Sequence, residues 1–334
     1  MYKVSVIVPI FGVEKYIERC ARSLFEQSLD SLEYVFVNDC TMDNSMEILR
    51  KVANEYPHRS NQIKVINMPC NSGQAAVRIK GIYSATGEYL IHCDSDDWVD
   101  VDMYKKLYET AIEKNADIVD CDYFVTDGYT RRLIQDNFPN EKNSIIRNIL
   151  NQKSANSLCN KLIKRSIFLE NSFKLPNDSN GEDFVLTIQS VCFSKRTFYL
   201  NRPLYYYFYN PESITNQNSE IKILQNFKQV YNNIEIVLSF LRERYNHEFE
   251  DEIIHLKLIK RNLLLKLLGK YKYLDLWKNT YPEINKKVLV CRSVSSKEKI
   301  KFIIAFTGFI VVINNLKYLV NYFRFYFKRN IYLL

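Results

Sequence analysis

The segment Tyr89-Leu90-Ile91-His92-Cys93-Asp94-Ser95-Asp96-Asp97-Trp98 decides how the rest of the chain is read. A short apolar run bounded by turn-type residues is the pattern of a buried strand. Three carboxylates within four residues follow it: Asp94, Asp96 and Asp97. Carboxylates at the carboxyl end of such a strand stand at the edge of an open α/β sheet, where ligands bind. At this spacing they repel one another unless a cation or a proton intervenes. Hard oxygen donors suit Mg²⁺ or Mn²⁺, ions that commonly hold a phosphate as well. The competing reading is an acidic turn that caps the next helix, with Asp97 or Asp100 as N-cap.

Upstream, the same grammar repeats. Val4-Ser5-Val6-Ile7-Val8-Pro9 is a β-branched run stopped by proline, as in a buried parallel strand. Helical periodicity follows over Val13–Gln27. A second strand, Glu33–Val37, ends in a polar loop, 38–45, that opens a helix to about Tyr56. A third strand is Ile63–Ile66. Asn71-Ser72-Gly73 starts a helix to about Ala85, which Gly87 closes before the central strand. Strands alternating with helices imply a parallel, doubly wound α/β sheet. The polar loops after strands one, two and four then fall on one edge.

Downstream, a helix is expected over Asp100–Lys114 and a strand over Asp117–Asp122. After about residue 130 the pattern loosens. Short helices are expected at Ile145–Leu150 and Asn160–Leu169, a loop at Asn177–Gly181, a helix from Glu182 to Phe193 and an aromatic strand at Thr197–Tyr209. Glu220–Leu268 reads as helical almost throughout.

Composition bounds the class. With 47% hydrophobic and 25% charged residues, 334 residues suit a globular protein of one to three domains. The eight cysteines (Cys20, Cys40, Cys70, Cys93, Cys121, Cys159, Cys192, Cys291) form no C-x-x-C pair, against a disulfide framework or zinc site and for a reducing compartment. The first residues enter a strand pattern directly, so no secretory leader is expected. The net charge of +8 is uneven: from Lys257 onward there are 17 Lys and Arg against 3 Asp and Glu. Such asymmetry points the tail at an anionic surface.

Taken together, the chain resembles a family 2 glycosyltransferase of the GT-A fold. The resemblance spans about residues 3–215 and rests on pieces in the family's order. These are Val4–Pro9; Val37-Asn38-Asp39-Cys40-Thr41-Met42-Asp43-Asn44-Ser45; Asn71-Ser72-Gly73 with Arg78; Thr86-Gly87-Glu88-Tyr89-Leu90; Asp94-Ser95-Asp96-Asp97; Asn160-Lys161; Gly181-Glu182-Asp183; and Tyr205-Tyr206-Tyr207. Gly12, Asn38 with Cys40-Thr41, and Ile79 after Arg78 depart from the family pattern, which touches the detail of base and sugar contacts.

The resemblance implies roles. Asp39 would accept hydrogen bonds from a nucleotide base, with Pro9 and Phe11 lining the same pocket. Asp94 and Asp96 match the family's Asp-x-Asp, Asp96 toward the metal and Asp94 toward the ribose, with Ser95 between them in the donor site. Asp97 would be a supporting residue or a helix cap. Arg78, one turn into its helix, would pair with a phosphate or with the acidic cluster; the alternative is a solvated helix-face arginine. Asp183 would be the catalytic base, with Glu182 as fallback; without the resemblance, both read as an ordinary acidic first turn. The implied reaction is an inverting, Mn²⁺- or Mg²⁺-dependent transfer from a nucleotide-sugar, expected to be UDP-linked, to a glycan acceptor.

The C-terminal stretch Phe302–Ile313 is apolar but shorter than the ~20 residues that span a bilayer. Lys297, Lys299 and Lys301 flank its front, and Leu316–Phe327 with Arg324, Lys328 and Arg329 continues it. Tyrosine, phenylalanine and basic residues together suit an interfacial helix on an anionic membrane. The expected organisation is therefore a GT-A domain over 1–215 (a nucleotide-sugar half, 1–125, and an acceptor half, 126–215), a helical extension over 216–296 and a membrane-associating tail over 297–334. A lipid-linked acceptor, a cytoplasmic location at the inner face of the membrane and a role in surface polysaccharide synthesis fit that layout. Nucleic-acid binding is not expected, for want of a recognition module, and self-association is left open. Rival readings are a sugar nucleotidyltransferase, which lacks its Gly-rich first loop here, and a non-catalytic nucleotide-sugar-binding subunit that anchors a partner at the membrane.

Overall fold

The first strand, β1 (Val4–Ile10), is almost wholly buried, because a run of β-branched residues has no polar face to offer water. Helix α1 (Ile17–Phe25) buries Ile17, Cys20, Ala21, Leu24 and Phe25, one stripe of its surface. Strand β2 (Leu32–Asn38), helix α2 (Ser45–Asn54), strand β3 (Ile63–Asn67), helix α3 (Gln74–Ser84) and strand β4 (Tyr89–His92) complete the alternation read from the sequence. Strand β1 lies between β2 and β4, and β3 lies outside β2, all parallel. The computed structural model describes residues 2–209, 219–268, 272–310 and 312.

Gly87 is required by packing. A Cβ there would meet the Ser5 backbone nitrogen at 2.7 Å, and the Gly87 N–H donates to Ser5 Oγ at 2.8 Å. The turn into β4 is thus pressed against β1.

The second half adds β5 (Trp98–Val99), α4 (Met103–Lys114), β6 (Ile118–Thr126), β7 (Arg131–Ile134), α5 (Lys142–Leu150), β8 (Lys161–Lys164), α6 (Arg165–Glu170), α7 (Glu182–Phe193) and β9 (Thr197–Phe208). The sheet runs β3-β2-β1-β4-β8-β6-β9-β5, with β7 on β6. As in the mostly parallel GT-A sheet that the resemblance implies, the second half is mixed. Strand β8 is antiparallel to both β4 and β6, while β6 and β9 are parallel. The expected helix at Asn160–Leu169 is corrected to strand β8 followed by α6. Leu162 and Ile163 are buried between two strands, and the Asn160 and Lys161 side chains are bonded to buried carboxylates, which holds the segment extended.

The helical stretch from Glu220 is interrupted. It forms α8 (Glu220–Tyr245), α9 (Glu250–Arg261) and a 3₁₀ turn, Asn262–Leu267. Helices α10 (Lys272–Asn279) and α11 (Ser296–Phe306) follow. The chain divides into two compact units: residues 1–216 with 232–246, and residues 217–231 with 247–334. The second has its own core, in which buried Trp277 packs on Phe302 and under the Arg261 guanidinium, 4.1 Å from the ring centre. Ser295 and Glu298 form a capping box at the start of α11. Among the described residues, no helix is long and apolar enough to cross a membrane. The later part of the expected tail, 313–334, lies outside the described residues.

Candidate active site

Parallel pairing sets the edge on which the site is built. Ile10 stands opposite Asn38, so Phe11 and Asp39 leave the sheet side by side. His92 stands opposite Ile7, so Asp94 emerges at the same edge. Pro9 is half-buried, whereas Phe11 is 50% exposed at this edge.

The Asp39 carboxylate is buried and spans the gap to the next loop. Oδ1 accepts the Ser72 N–H at 2.7 Å and Oδ2 accepts the Gly73 N–H at 2.9 Å. It shapes the Asn71-Ser72-Gly73 turn through both oxygens, each of which keeps a further lone pair.

Arg78 is the hub. It sits in α3 after Val77 and is only 1% exposed, so the solvated helix-face alternative is corrected. Its guanidinium is shared among carboxylates from distant parts of the chain. Nη2 donates to Asp94 Oδ1 at 2.8 Å, and Nε donates to Glu182 Oε1 at 3.2 Å. Nε also lies 3.1 Å from Asp183 Oδ1, an ion pair without hydrogen-bond alignment. Nη1 lies 3.4 Å from His92 Nδ1. Of the partners expected for Arg78, the structure gives it the acidic cluster. Burial opposes its charge, but Asp183 and Asp94 outweigh that and hold it firmly protonated. His92 is pushed well below the usual imidazole range, first by burial and then by Arg78, so it is neutral.

The two candidate bases differ in environment. Glu182 is pushed up to about 8, mainly by burial and then by Asp183, with Arg78 opposing. Asp183 is also raised by burial, and Arg78 pulls it back. The side chain of Glu182 is 7% exposed and that of Asp183 is 22% exposed. Both carboxylates lie against Arg78; Glu182 is the more enclosed of the two and Asp183 the more exposed.

The Asp94-Ser95-Asp96-Asp97 turn is pinned from several sides. Asp97 is neither an N-cap nor at the surface. It is buried, its Oδ2 accepts the Tyr205 hydroxyl, and its Oδ1 accepts the Phe208 N–H at 2.7 Å. The capping expectation for Asp97 and Asp100 fails because the N-cap of α4 is Asp102, which makes no side-chain cap bond. Ser95 is buried, and Asp96 is half-buried. The Asp96 carbonyl accepts from Arg19 Nη2 at 2.8 Å, and Arg19 stacks on Trp98 at 3.8 Å. Arg19 carries no sequence signal, since it reads as one more polar position of an amphipathic helix.

Among the described residues, no cluster of three or more His, Cys, Asp or Glu forms a metal cage. A Mg²⁺-type site needs no such cage, because one or two carboxylates plus substrate phosphates complete it. Asp96 with Asp94, whose Oδ1 is committed to Arg78, fits a cation shared with a diphosphate.

A mixed sheet with an acidic turn at the carboxyl edge of its parallel half, facing a second acidic pair across one arginine, fits the resemblance to a GT-A glycosyltransferase. Comparison with known proteins agrees. The sequence model of glycosyl transferase family 2 matches residues 5–171. The putative glycosyltransferase EpsH of Bacillus subtilis is 32% identical over 256 residues, 74% of this chain and 71% of that protein. The chain belongs to glycosyl transferase family 2. In fold it is similar to the S. aureus protein TarS, with a TM-score of 0.64 at 22% identity over 92% of this chain and 53% of that one. TarS 1-349 in complex with UDP-GlcNAc gives 0.59 at 19% identity, covering 92% and 88%. The mannosyltransferase PcManGT of Pyrobaculum calidifontis, in complex with GDP-Man and Mn²⁺, gives 0.54 at 14% identity, covering 95% and 88%.

Proposed function

We propose that this glycosyltransferase is an inverting, divalent-metal-dependent enzyme that moves a sugar from a UDP-linked donor to a hydroxyl of a lipid-linked glycan at the inner face of a membrane. The observation that carries the reading is the buried guanidinium of Arg78, which joins Asp94 on the donor side to Asp183 on the acceptor side. Pro9, Phe11 and Asp39 bind the nucleotide base, and Asp94 and Ser95 face the ribose. Asp96, with Asp94, holds the cation. A divalent cation bound there supplies positive charge to the leaving diphosphate.

Asp183 takes the proton of the acceptor hydroxyl. The oxygen attacks the anomeric carbon from the face opposite the diphosphate, that bond breaks, and the configuration inverts. Burial raises the Asp183 pKa, and Arg78 opposes that rise. UDP as the nucleotide is supported by the TarS likeness, and a divalent ion by the Mn²⁺ of PcManGT.

Membrane contact is supported by α11. Lys297 and Lys301 are exposed on it, as are Ile300, Ile303 and Phe306, with Phe309 just beyond. Basic and apolar side chains displayed together suit an anionic lipid surface.

The test is nucleotide release from a panel of UDP- and GDP-sugars with Mn²⁺ or with EDTA. Metal-dependent release of UDP from one donor, lost in Asp96→Ala, is expected. Asp183→Asn should reduce turnover by roughly 10²–10⁴-fold while leaving UDP binding intact. Absence of UDP binding in calorimetry with Mn²⁺ overturns the reading.

A further inference from the structure

The loop that delivers Asp183 hangs on one buried amide. Residues Asn177-Asp178-Ser179-Asn180-Gly181 run directly into Glu182-Asp183. On α8, Asn233 is completely buried, and both ends of its amide face this loop. Its Nδ2 donates to the carbonyl oxygens of Asp178 at 2.7 Å and Asn180 at 2.8 Å, and its Oδ1 accepts the Asn177 N–H at 3.2 Å. Next to it, Asn232 Nδ2 donates to Asp178 Oδ2 at 2.9 Å. The residues that follow on the same buried stripe, Ile234, Val237, Leu238 and Leu241, are apolar. A primary amide in such a setting is costly unless its bonds are made, and here two donors and one acceptor are spent on a single loop.

The other side of the loop meets the donor half. Gly73 has φ +82, and a Cβ on it would stand 2.5 Å from Ser179 Oγ. The N–H of the same Gly73 is bonded to Asp39. A continuous series of contacts therefore runs from Asp39 through Gly73 and Ser179 to Asn233, within the first compact unit.

We propose that Asn233 is a positioning residue for transfer, fixing the 177–181 loop so that Asp183 stays against Arg78 while the loop closes on the Gly73 turn. The inference rests on the reading of Asp183 as base. Displacing a reacting group by about 1 Å costs about 10²-fold in rate, so a loop cut from its anchor has a large effect without touching substrate.

The experiment measures UDP release from UDP-N-acetylglucosamine with Mn²⁺ across pH, and amide hydrogen exchange, for wild type, Asn233→Ala, Asn232→Ala and Asp183→Asn. Asn233→Ala should lower kcat by about 10- to 100-fold with little change in donor KM. Its acidic pH limb should move down, because Asp183 released from burial returns toward the ordinary carboxylate range. Exchange at 177–184 should rise while β1 and β4 stay protected. A variant that is merely less stable would lose amplitude without moving the limb and would exchange faster throughout the sheet. Should Asn233→Ala not fold, Asn232→Ala cuts the Asp178 tether from a partly exposed position, and the same local rise in exchange is expected. Unchanged exchange at 177–184 in the folded variant overturns the proposal, whatever the activity. If Asp183→Asn keeps wild-type turnover, the parent reading fails instead.

Discussion

Replacing Arg78 with leucine tests the central claim most severely. The substitution keeps an apolar stem in the core but leaves Asp94, Glu182 and Asp183 together without their shared cation. Breaking a buried ion pair by removing one partner costs about 3–5 kcal/mol. All three carboxylates are less than a third exposed, so solvent does not rescue them. In a domain of this size each kcal/mol shifts Tm by about 2–4 °C, which gives a fall of roughly 6–20 °C. The pH dependence has a definite sign. Arg78 lowers both Glu182 and Asp183, so its loss raises their folded pKa values further above the unfolded ones. A carboxyl with a raised folded pKa contributes stability that is present below its unfolded pKa and lost as pH rises through the folded value. The deficit of Arg78→Leu relative to wild type should therefore widen from acidic pH toward and beyond pH 8, where Glu182 titrates in the wild type. Arg78→Lys should fall between the two, since an ammonium is a point charge that cannot fork to three acceptors. Thermal unfolding followed by circular dichroism at several pH values is the assay. A leucine variant that melts with the wild type, or a deficit that narrows as pH rises, refutes the reasoning.

Three further outcomes follow from the same geometry. Asp97→Ala orphans the Tyr205 hydroxyl and the Phe208 N–H, each at about 1–3 kcal/mol, and should lower the denaturation midpoint clearly, as urea unfolding will show. Lys161→Met removes the buried cation that lies 2.8 Å from Asp120 and 3.5 Å from Asp136, so a loss of about 3–5 kcal/mol is expected, read as lost soluble expression or a much lower Tm. Changing Lys297, Lys299 and Lys301 together to glutamate should weaken sedimentation with phosphatidylserine vesicles, at about 1 kcal/mol per lysine near the surface, with turnover on a soluble acceptor unaffected; unchanged vesicle binding would remove α11 from the membrane proposal.

Much of this was written locally in the chain. Short apolar and β-branched runs, proline and glycine stops and polar loops announce β1, β2 and β4 and the edge on which their loops meet, because each signal needs only neighbours in sequence. The carboxylates after Ile91 and the Glu182-Asp183 pair are visible in the same way, and the ordered motifs name the family. What remained hidden depends on contacts between distant segments. Asn160-Lys161 reads as a helix start, yet it leads into strand β8, and Asp120 and Asp136 hold both side chains in the interior.

The sequence by itself determined that there is a parallel half-sheet with an acidic turn at its edge and a second acidic pair far downstream. Only the tertiary structure decided where each carboxylate stands and what it touches. Glu182 is 104 residues from Arg78, and Asp97 is 111 residues from Phe208, separations over which no periodicity carries information. Burial sets the pKa values, and burial belongs to the packed molecule. Folding thus turns Asp97 inward to hold a strand, commits Glu182 to Arg78, and leaves Asp183 as the more exposed carboxylate of that pair.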